Sequence, residues 1–125
     1  MANFYLGVDG GQSSTTALLG DQHGRVLGCG RGGPCNHVSG EAARAKFSGA
    51  IGASVADACQ QAGLGREHRA FAAACFGFSG GPEDKQPLVE EMFAIGKLSM
   101  TTDALIALSG ATAGEPGIIA VAGTG

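Results

Sequence analysis

Basic residues are scarce in this 125-residue sequence, which has 8 Lys and Arg against 11 Asp and Glu and a net charge of −3. They are scattered along the chain, so the electrostatic footprint of a nucleic-acid-binding protein is absent. No apolar run approaches the roughly 18 residues of a membrane span, and no basic stretch with an apolar core opens the chain. We therefore expect neither a nucleic-acid nor a membrane partner, and a cytoplasmic location.

Cysteine pairs with metal-binding or redox spacing are also missing. The four cysteines contain no C-x-x-C arrangement and stand far apart, at Cys29, Cys35, Cys59 and Cys75. Such spacing favours reduced thiols that pack in the interior over a zinc site or a disulfide scaffold. A chain of 125 residues suffices for one domain or one lobe that buries about two thirds of its unfolded surface.

Glycine, in contrast, is abundant, and its 23 residues cluster at turn positions. The most informative cluster is VDGGQSST at residues 8–15, between apolar runs at residues 4–8 and 15–19. It predicts a hairpin whose glycine turn directs backbone N–H groups at an anion such as phosphate, with Asp9 placed to hold Mg²⁺. An ordinary hairpin with a Gly-Gly turn is an equally good interpretation of this motif alone.

Apolar periodicity predicts three strands followed by alternating helices and strands. A third strand is expected at residues 26–29, and a helix capped by Ser39 is expected to end at Gly63. A strand covered on both faces follows at residues 70–78, and then a helix that begins at Pro82. The last strand, helix and strand are expected at residues 98–102, 104–111 and 117–122. This order predicts an α/β fold, in which a mixed sheet carries helices on its faces.

Polar residues follow several of the predicted strands directly. They are Asp9, the Ser79-Gly80-Gly81 turn, Asp103 and the terminal Gly123-Thr124-Gly125. Because α/β sheets bind ligands at the carboxyl ends of their strands, we expect these residues to form one cleft. Asp9 would serve a metal and Asp103 would act as a base on a substrate hydroxyl, although a helix N-cap is an equally good role for Asp103.

The ordered set DGGQSST, FSGGPED, TTDA and AVAGTG resembles the N-terminal lobe of the BadF/BadG/BcrA/BcrD-type ATPase family. That family belongs to the actin-like ATPase superfamily, with its ribonuclease H-like lobes and its sugar kinases. Within the family, the residues are most similar to those of the N-acetylglucosamine kinases. The resemblance implies an ATP- and Mg²⁺-dependent kinase that transfers the γ-phosphoryl group to the 6-hydroxyl of N-acetylglucosamine or a related hexosamine.

The resemblance also implies two phosphate-binding segments. The first is the loop after Asp9, in which Gly10, Gly11, Gln12 and Ser13 would contact the nucleotide phosphates while Asp9 holds Mg²⁺. The second is formed by Gly123, Thr124 and Gly125.

Sugar binding is implied for a second set of residues. Asn36 would contact substrate hydroxyls, and its alternative role is a loop Asn bonded to its own backbone. Ser79 and Gly80 would line the same pocket, for which strand-to-helix packing is the alternative. Asp103 would be the catalytic base and would also bind the sugar.

Two other functions stay open at this point. Some members of the family are ATPase activators of acyl-CoA dehydratases or reductases and hold an iron–sulfur cluster, but Cys75 does not reproduce their cysteine pattern. The other is a nucleotide- or sugar-binding module without turnover. Superfamily members close two lobes around the nucleotide, so we expect residues 1–125 to be the N-terminal lobe, without the second lobe. Alone it would turn over little and would self-associate through exposed apolar surface.

Overall fold

The structure is a computed structural model that describes residues 3–35 and 38–120. Its elements are β1 (Phe4–Gly10), β2 (Thr15–Asp21), β3 (Val26–Gly32), α1 (Glu41–Gln61), β4 (Ala70–Phe78), α2 (Gln86–Met92), β5 (Ala94–Thr102) and α3 (Asp103–Thr112). Up to α3, this βββαβαβα order is the one that the apolar periodicity predicts, and it confirms the α/β class.

The strands form one five-stranded mixed sheet in the order β3-β2-β1-β4-β5. β1, β2 and β3 are an antiparallel meander, in which the short loop after Gly10 joins the first two strands. β4 and β5 run parallel to β1, so the carboxyl ends of these three strands lie at the same edge. Parallel neighbours need crossover connections, which α1 and α2 provide.

The core lies between the sheet and α1. Phe47, Ile51, Val55 and Cys59 recur every fourth residue of α1 and are fully buried, as their spacing predicts. Glycines at every second position of β3 let the helix backbone approach the sheet closely. A Cβ on Gly30 would overlap with the Ser54 carbonyl oxygen and lie 2.8 Å from the Ala58 nitrogen. The contact is therefore one between backbones, with no room for side chains.

The opposite face of the sheet is largely open. Alternation in β1 places Leu6 and Val8 in the core and leaves Tyr5, Gly7 and Asp9 on this second face. α3 packs over only part of it and has no fully buried residue. The prediction that β4 is covered on both faces holds for its carboxyl end, where residues 76–78 are buried and Ile106 lies over Gly77, but not for its start, where Ala72 is exposed.

Several predicted elements differ from the structure. β3 continues to Gly32 instead of residue 29, and β5 begins at Ala94, four residues before its predicted start. Gly40, not Ser39, occupies the N-cap position of α1, and no side chain caps the helix there. α2 begins at Gln86 because residues 82–85 form turns that close through Lys85 N–H to the Pro82 carbonyl. Residues 117–120 do not form the predicted last strand, and the rest of that prediction lies outside the described residues.

No helix in the described part of the chain is long and apolar enough to cross a membrane.

Candidate functional site

The carboxyl ends of β1, β4 and β5 surround a cleft of about 260 Å³. Asp9 reaches it from β1, Ser79 from the turn after β4, and Asp103 from the first residue of α3. The complete lining is Asp9, Gly11, Gln12, Ser13, Ser14, Ser79 and Asp103. Asp103 thus meets five other residues that were predicted to bind phosphate, metal or sugar. Two of these five, Asp9 and Ser79, are 70 positions apart in the sequence.

The loop between β1 and β2 has a defined conformation. Gly11 N–H donates to the Ser14 carbonyl at 2.9 Å, which closes the turn. Gly10 lies beneath the cleft, not on its wall, and a Cβ there would be 2.6 Å from Cys35 Sγ and would overlap with the Phe78 ring. Gly10 is therefore required for packing under the loop, whereas Gly11, Gln12 and Ser13 face the cleft.

Hydrogen bonds connect this loop with the turn after β4. Ser79 N–H donates to the Gly10 carbonyl at 3.0 Å, which continues the pairing of β1 with β4 beyond the strand ends. Gln12 Nε2 lies 3.5 Å from Ser79 Oγ on the cleft side. Gly80 belongs to the same turn but does not line the cleft. These contacts hold the predicted phosphate loop and the predicted sugar-binding turn in one arrangement.

Two carboxylates dominate the electrostatics of the cleft. Partial desolvation of Asp9, and then repulsion from Asp103, raise the pKa of the Asp9 carboxyl above its ordinary value. A cation between the two groups would relieve this repulsion. The described residues contain no cluster of three or more His, Cys, Asp or Glu side chains suited to a metal ion. Asp9, at the end of β1 beside the loop, fits Mg²⁺, which takes one or two carboxylates and completes its shell with phosphate oxygens and water.

The structure tests the helix-cap interpretation of Asp103. The N-cap of α3 is Thr102, whose Oγ1 accepts from Leu105 N–H at 3.3 Å. Asp103 is the first helical residue, and its Oδ1 accepts from the N–H of Ala104 at 2.8 Å. The alternative of a helix cap for Asp103 was therefore wrong. Its carboxylate instead lines the cleft, beside the loop that carries Asp9.

Other predicted site residues lie outside the described part of the chain. These are Asn36, Gly123, Thr124 and Gly125. The segment that leads to Asn36 is described. Cys35 N–H donates to the Gly11 carbonyl at 3.4 Å, and Thr15 Oγ1 donates to the Gly33 carbonyl at 2.7 Å. The chain is thus attached to the base of the hairpin loop up to residue 35.

Sequence reasoning missed two residues of this region. Ser14 lines the cleft beside Ser13, and its place in the same loop was the available signal. Lys85 is buried behind the turn after β4. No local pattern indicates this, because Lys in a charged stretch is ordinarily solvated.

Comparisons with known proteins identify the family of this chain and two similar proteins. The sequence model of the BadF/BadG/BcrA/BcrD ATPase family matches residues 6–125. A glucosamine kinase from Vibrio cholerae is 29% identical over 127 residues, an alignment that covers 98% of this chain and 42% of that protein. The solved structure of a candidate N-acetylglucosamine kinase from Chromobacterium violaceum matches with a TM-score of 0.73 and 31% identity, over 92% of this chain and 40% of the other. The chain thus spans less than half the length of either protein.

Proposed function

Because the chain belongs to the BadF/BadG/BcrA/BcrD ATPase family, we propose that it is the N-terminal lobe of an ATP-dependent amino-sugar kinase. The reaction transfers the γ-phosphoryl group of ATP to the 6-hydroxyl of glucosamine, N-acetylglucosamine or a related hexosamine. One observation carries the proposal: a glycine-turn loop and two carboxylates from distant strand ends line the same cleft. The kinase names of two relatives support the choice of an amino sugar.

The residues of the cleft divide the work of phosphoryl transfer. Backbone N–H groups of residues 12 and 13 and the hydroxyls of Ser13 and Ser14 would contact the nucleotide phosphates, together with residues 123–125. Asp9 holds Mg²⁺, which neutralises charge on the phosphates. Ser79 and Asn36 hold the sugar, whereas Gly80 shapes the turn that presents Ser79. These assignments separate a nucleotide side at the β1–β2 loop from a sugar side at β4 and α3.

Asp103 acts as the base in this proposal. Its carboxylate accepts the proton of the 6-hydroxyl as that oxygen bonds to the γ-phosphorus, while the bond from phosphorus to the β-phosphate oxygen breaks and ADP leaves. The N–H of Ala104 holds one carboxylate oxygen and so limits rotation of the group. Positioning contributes much of the rate in such reactions.

A second lobe would account for the part of the relatives that this chain does not match. This chain covers 42% of the Vibrio cholerae protein, so the remainder of such an enzyme has room for another lobe. Lobe closure excludes water and fixes the substrates. We therefore expect the 125-residue chain alone to bind ligands weakly and to turn over little, and its open sheet face to support self-association.

Substitution of the proposed base tests the mechanism. Asp103→Asn keeps the size of the side chain and removes the proton acceptor, so phosphoryl transfer should fall by about 10²-fold or more, with a small change in sugar affinity. Long incubations of concentrated chain with Mg-ATP and glucosamine, followed by ³¹P NMR, detect sugar phosphate even at slow turnover. Glu115→Gln is the control, because Glu115 lies outside the cleft lining. Equal product formation by Asp103→Asn and the unsubstituted chain would remove the proposed base.

Ligand titrations test the substrate class separately. The amides of Asn36, Asp103 and residues 9–13 are followed by NMR with N-acetylglucosamine, glucosamine or glucose, each with and without Mg-ATP. Saturable shifts at Asn36 and Asp103 with an amino sugar are the expected result. Shifts confined to residues 9–13 with nucleotide would favour an ATPase or a sensor over a sugar kinase.

A further inference from the structure

Lys85 is the buried charged residue in the described part of the chain. Its side chain is 3% exposed, and it lies between the turn after β4 and the start of α2. Nothing in the proposed reaction uses this ammonium group. Because Lys side chains are almost never fully buried without a partner, its contacts require an explanation.

The contacts of Lys85 Nζ are unequal. It donates to the Gly81 carbonyl at 2.8 Å and to Asp84 Oδ1 at 3.3 Å. Nζ also lies 5.7 Å from the centre of the Phe78 ring, within the range of a cation–π contact. The Asp84 side chain is 64% exposed. Its carboxylate is therefore largely solvated, and the Gly81 carbonyl is the shorter and better-shielded contact.

Stability is a poor explanation for this arrangement. Transfer of an ammonium group from water to the interior is unfavourable, and pairing with a solvated carboxylate recovers little of that loss. A Met of similar length would fill the same space against Phe78 without the desolvation penalty. A buried cation at this place thus indicates a role that an apolar side chain could not fulfil.

The geometry of the turn indicates that role. Gly80 and Gly81 have φ values of 83° and 92°, so the turn depends on conformations that other residues rarely adopt. Gly81 N–H donates to the Phe78 carbonyl at 3.3 Å, a long bond that constrains the turn weakly. Lys85 Nζ binds the Gly81 carbonyl behind the turn, while Ser79 faces the cleft in front of it.

We infer that Lys85 is a positioning residue, which fixes the Ser79–Gly81 turn and thereby sets the affinity of the cleft for sugar. The inference rests on the proposed function, in which Ser79 of this turn holds the sugar. The inference distinguishes the two ligands, because the hydrogen bonds of Lys85 Nζ go to Gly81 and Asp84 and not to the loop residues proposed to bind the nucleotide phosphates. Loss of the ammonium group should therefore lower the affinity for sugar and leave the affinity for nucleotide unchanged.

The test compares Lys85→Met with two matched controls on the 125-residue chain. Asp84→Asn removes the ion pair but keeps the bond to Gly81. Ser54→Ala removes another buried polar group, whose Oγ bonds the Ile51 carbonyl in α1, away from the cleft. For each variant, NMR titration gives the Kd of glucosamine and of Mg-ATP, and thermal unfolding gives Tm.

We expect Lys85→Met to raise the Kd of glucosamine about five- to tenfold, as befits the loss of one charge-assisted hydrogen bond. The Kd of Mg-ATP should change less than about twofold, and Tm should not fall. Amide shifts without ligand should change at Ser79, Gly80 and Gly81. Both control variants should bind glucosamine like the unsubstituted chain.

The other outcomes separate the two proposals. Equal glucosamine affinity in Lys85→Met and the unsubstituted chain would overturn the positioning role. If Lys85→Met weakened the binding of sugar and of nucleotide alike and also lowered Tm, Lys85 would have a purely structural role. This result would overturn the positioning role as well. If the unsubstituted chain bound no sugar, the proposed function would fail. The ligand-free shifts would still decide whether Lys85 fixes the turn: changes confined to residues 79–81 support it, and their absence refutes it.

Discussion

The two faces of the sheet are built in different ways. On one face, α1 lies so close that β3 presents glycines to it, and the large buried side chains pack beneath the helix. On the other face, α3 contributes no fully buried residue, and Tyr5 and Leu18 are 38% and 46% exposed. A cavity of about 430 Å³ opens on this second face beside Asp9, under Ile106 of α3.

The two sides of the cleft differ in how firmly they are packed. The loops that form the cleft follow strands whose buried side chains belong to the same core as α1, whereas Asp103 belongs to the loosely packed α3. The proposed nucleotide side of the cleft is therefore anchored in the core, and the proposed base belongs to a helix without a fully buried residue. Elements of low local stability are the ones that move on binding. Four predictions test this difference between the two faces of the sheet.

Removal of a large core side chain should have the largest effect. Phe47 is fully buried and packs against Phe78 at a ring-centroid distance of 5.4 Å. Phe47→Ala should lower the free energy of unfolding by about 3–5 kcal/mol. Leu105→Ala on α3 should lower it by less than about 1 kcal/mol, because Leu105 is 51% exposed. Urea unfolding measures both, and similar losses would contradict the contrast between the two faces.

The backbone contact between β3 and α1 gives the second prediction. Gly30→Ala places a Cβ against the Ser54 carbonyl and should lower the free energy of unfolding by about 2–3 kcal/mol. Gly7→Ala, on the open face of β1, meets no atom within 4 Å. Its effect should stay within about 0.5 kcal/mol, since only backbone entropy changes. Denaturant curves of the two variants give the comparison, and a harmless Gly30→Ala would show that α1 can move away.

The third prediction concerns pH. Because the folded chain raises the pKa of Asp9, the native state binds this proton more tightly than the unfolded state does. The Asp9 contribution to stability therefore rises as pH falls through the raised pKa and is complete below the ordinary carboxyl value. In Asp103→Asn the repulsion is gone, so the pKa of Asp9 should fall but stay above that value, because desolvation is the larger cause. Carboxyl ¹³C NMR measures the titration of Asp9 in the unsubstituted chain and in Asp103→Asn. An equal Asp9 pKa in both would show that Asp103 does not repel Asp9.

The smallest effect is a difference in thiol reactivity. Cys29 is exposed and Cys75 is half-buried on the open face, whereas Cys35 and Cys59 are buried on the α1 side. Burial raises the pKa of the Cys35 and Cys59 thiols, which reduces the reactive thiolate. Iodoacetamide should therefore modify Cys29 first and Cys35 and Cys59 last, as mass spectrometry of peptides can show. Early modification of Cys59 would reveal opening of the α1 face.

The sequence by itself determined the order of the elements and the side of α1 that is buried. Both depend on neighbours within a few positions: the four-residue spacing from Phe47 to Cys59, and the apolar runs that end at Asp9 and Phe78. The same local signals located the turn residues that line the cleft. The family resemblance added roles for Asn36 and residues 123–125 that stay predictions.

Only the tertiary structure decided the rest. The start of β4 is open on one face because α3 covers only part of the sheet, and Thr102 caps α3 because its hydroxyl lies within reach of Leu105 N–H. The burial of Lys85 depends on Phe78 and Gly81, which are brought around it by the turn after β4. These features arise from contacts in space, whose energies no local pattern of residues encodes.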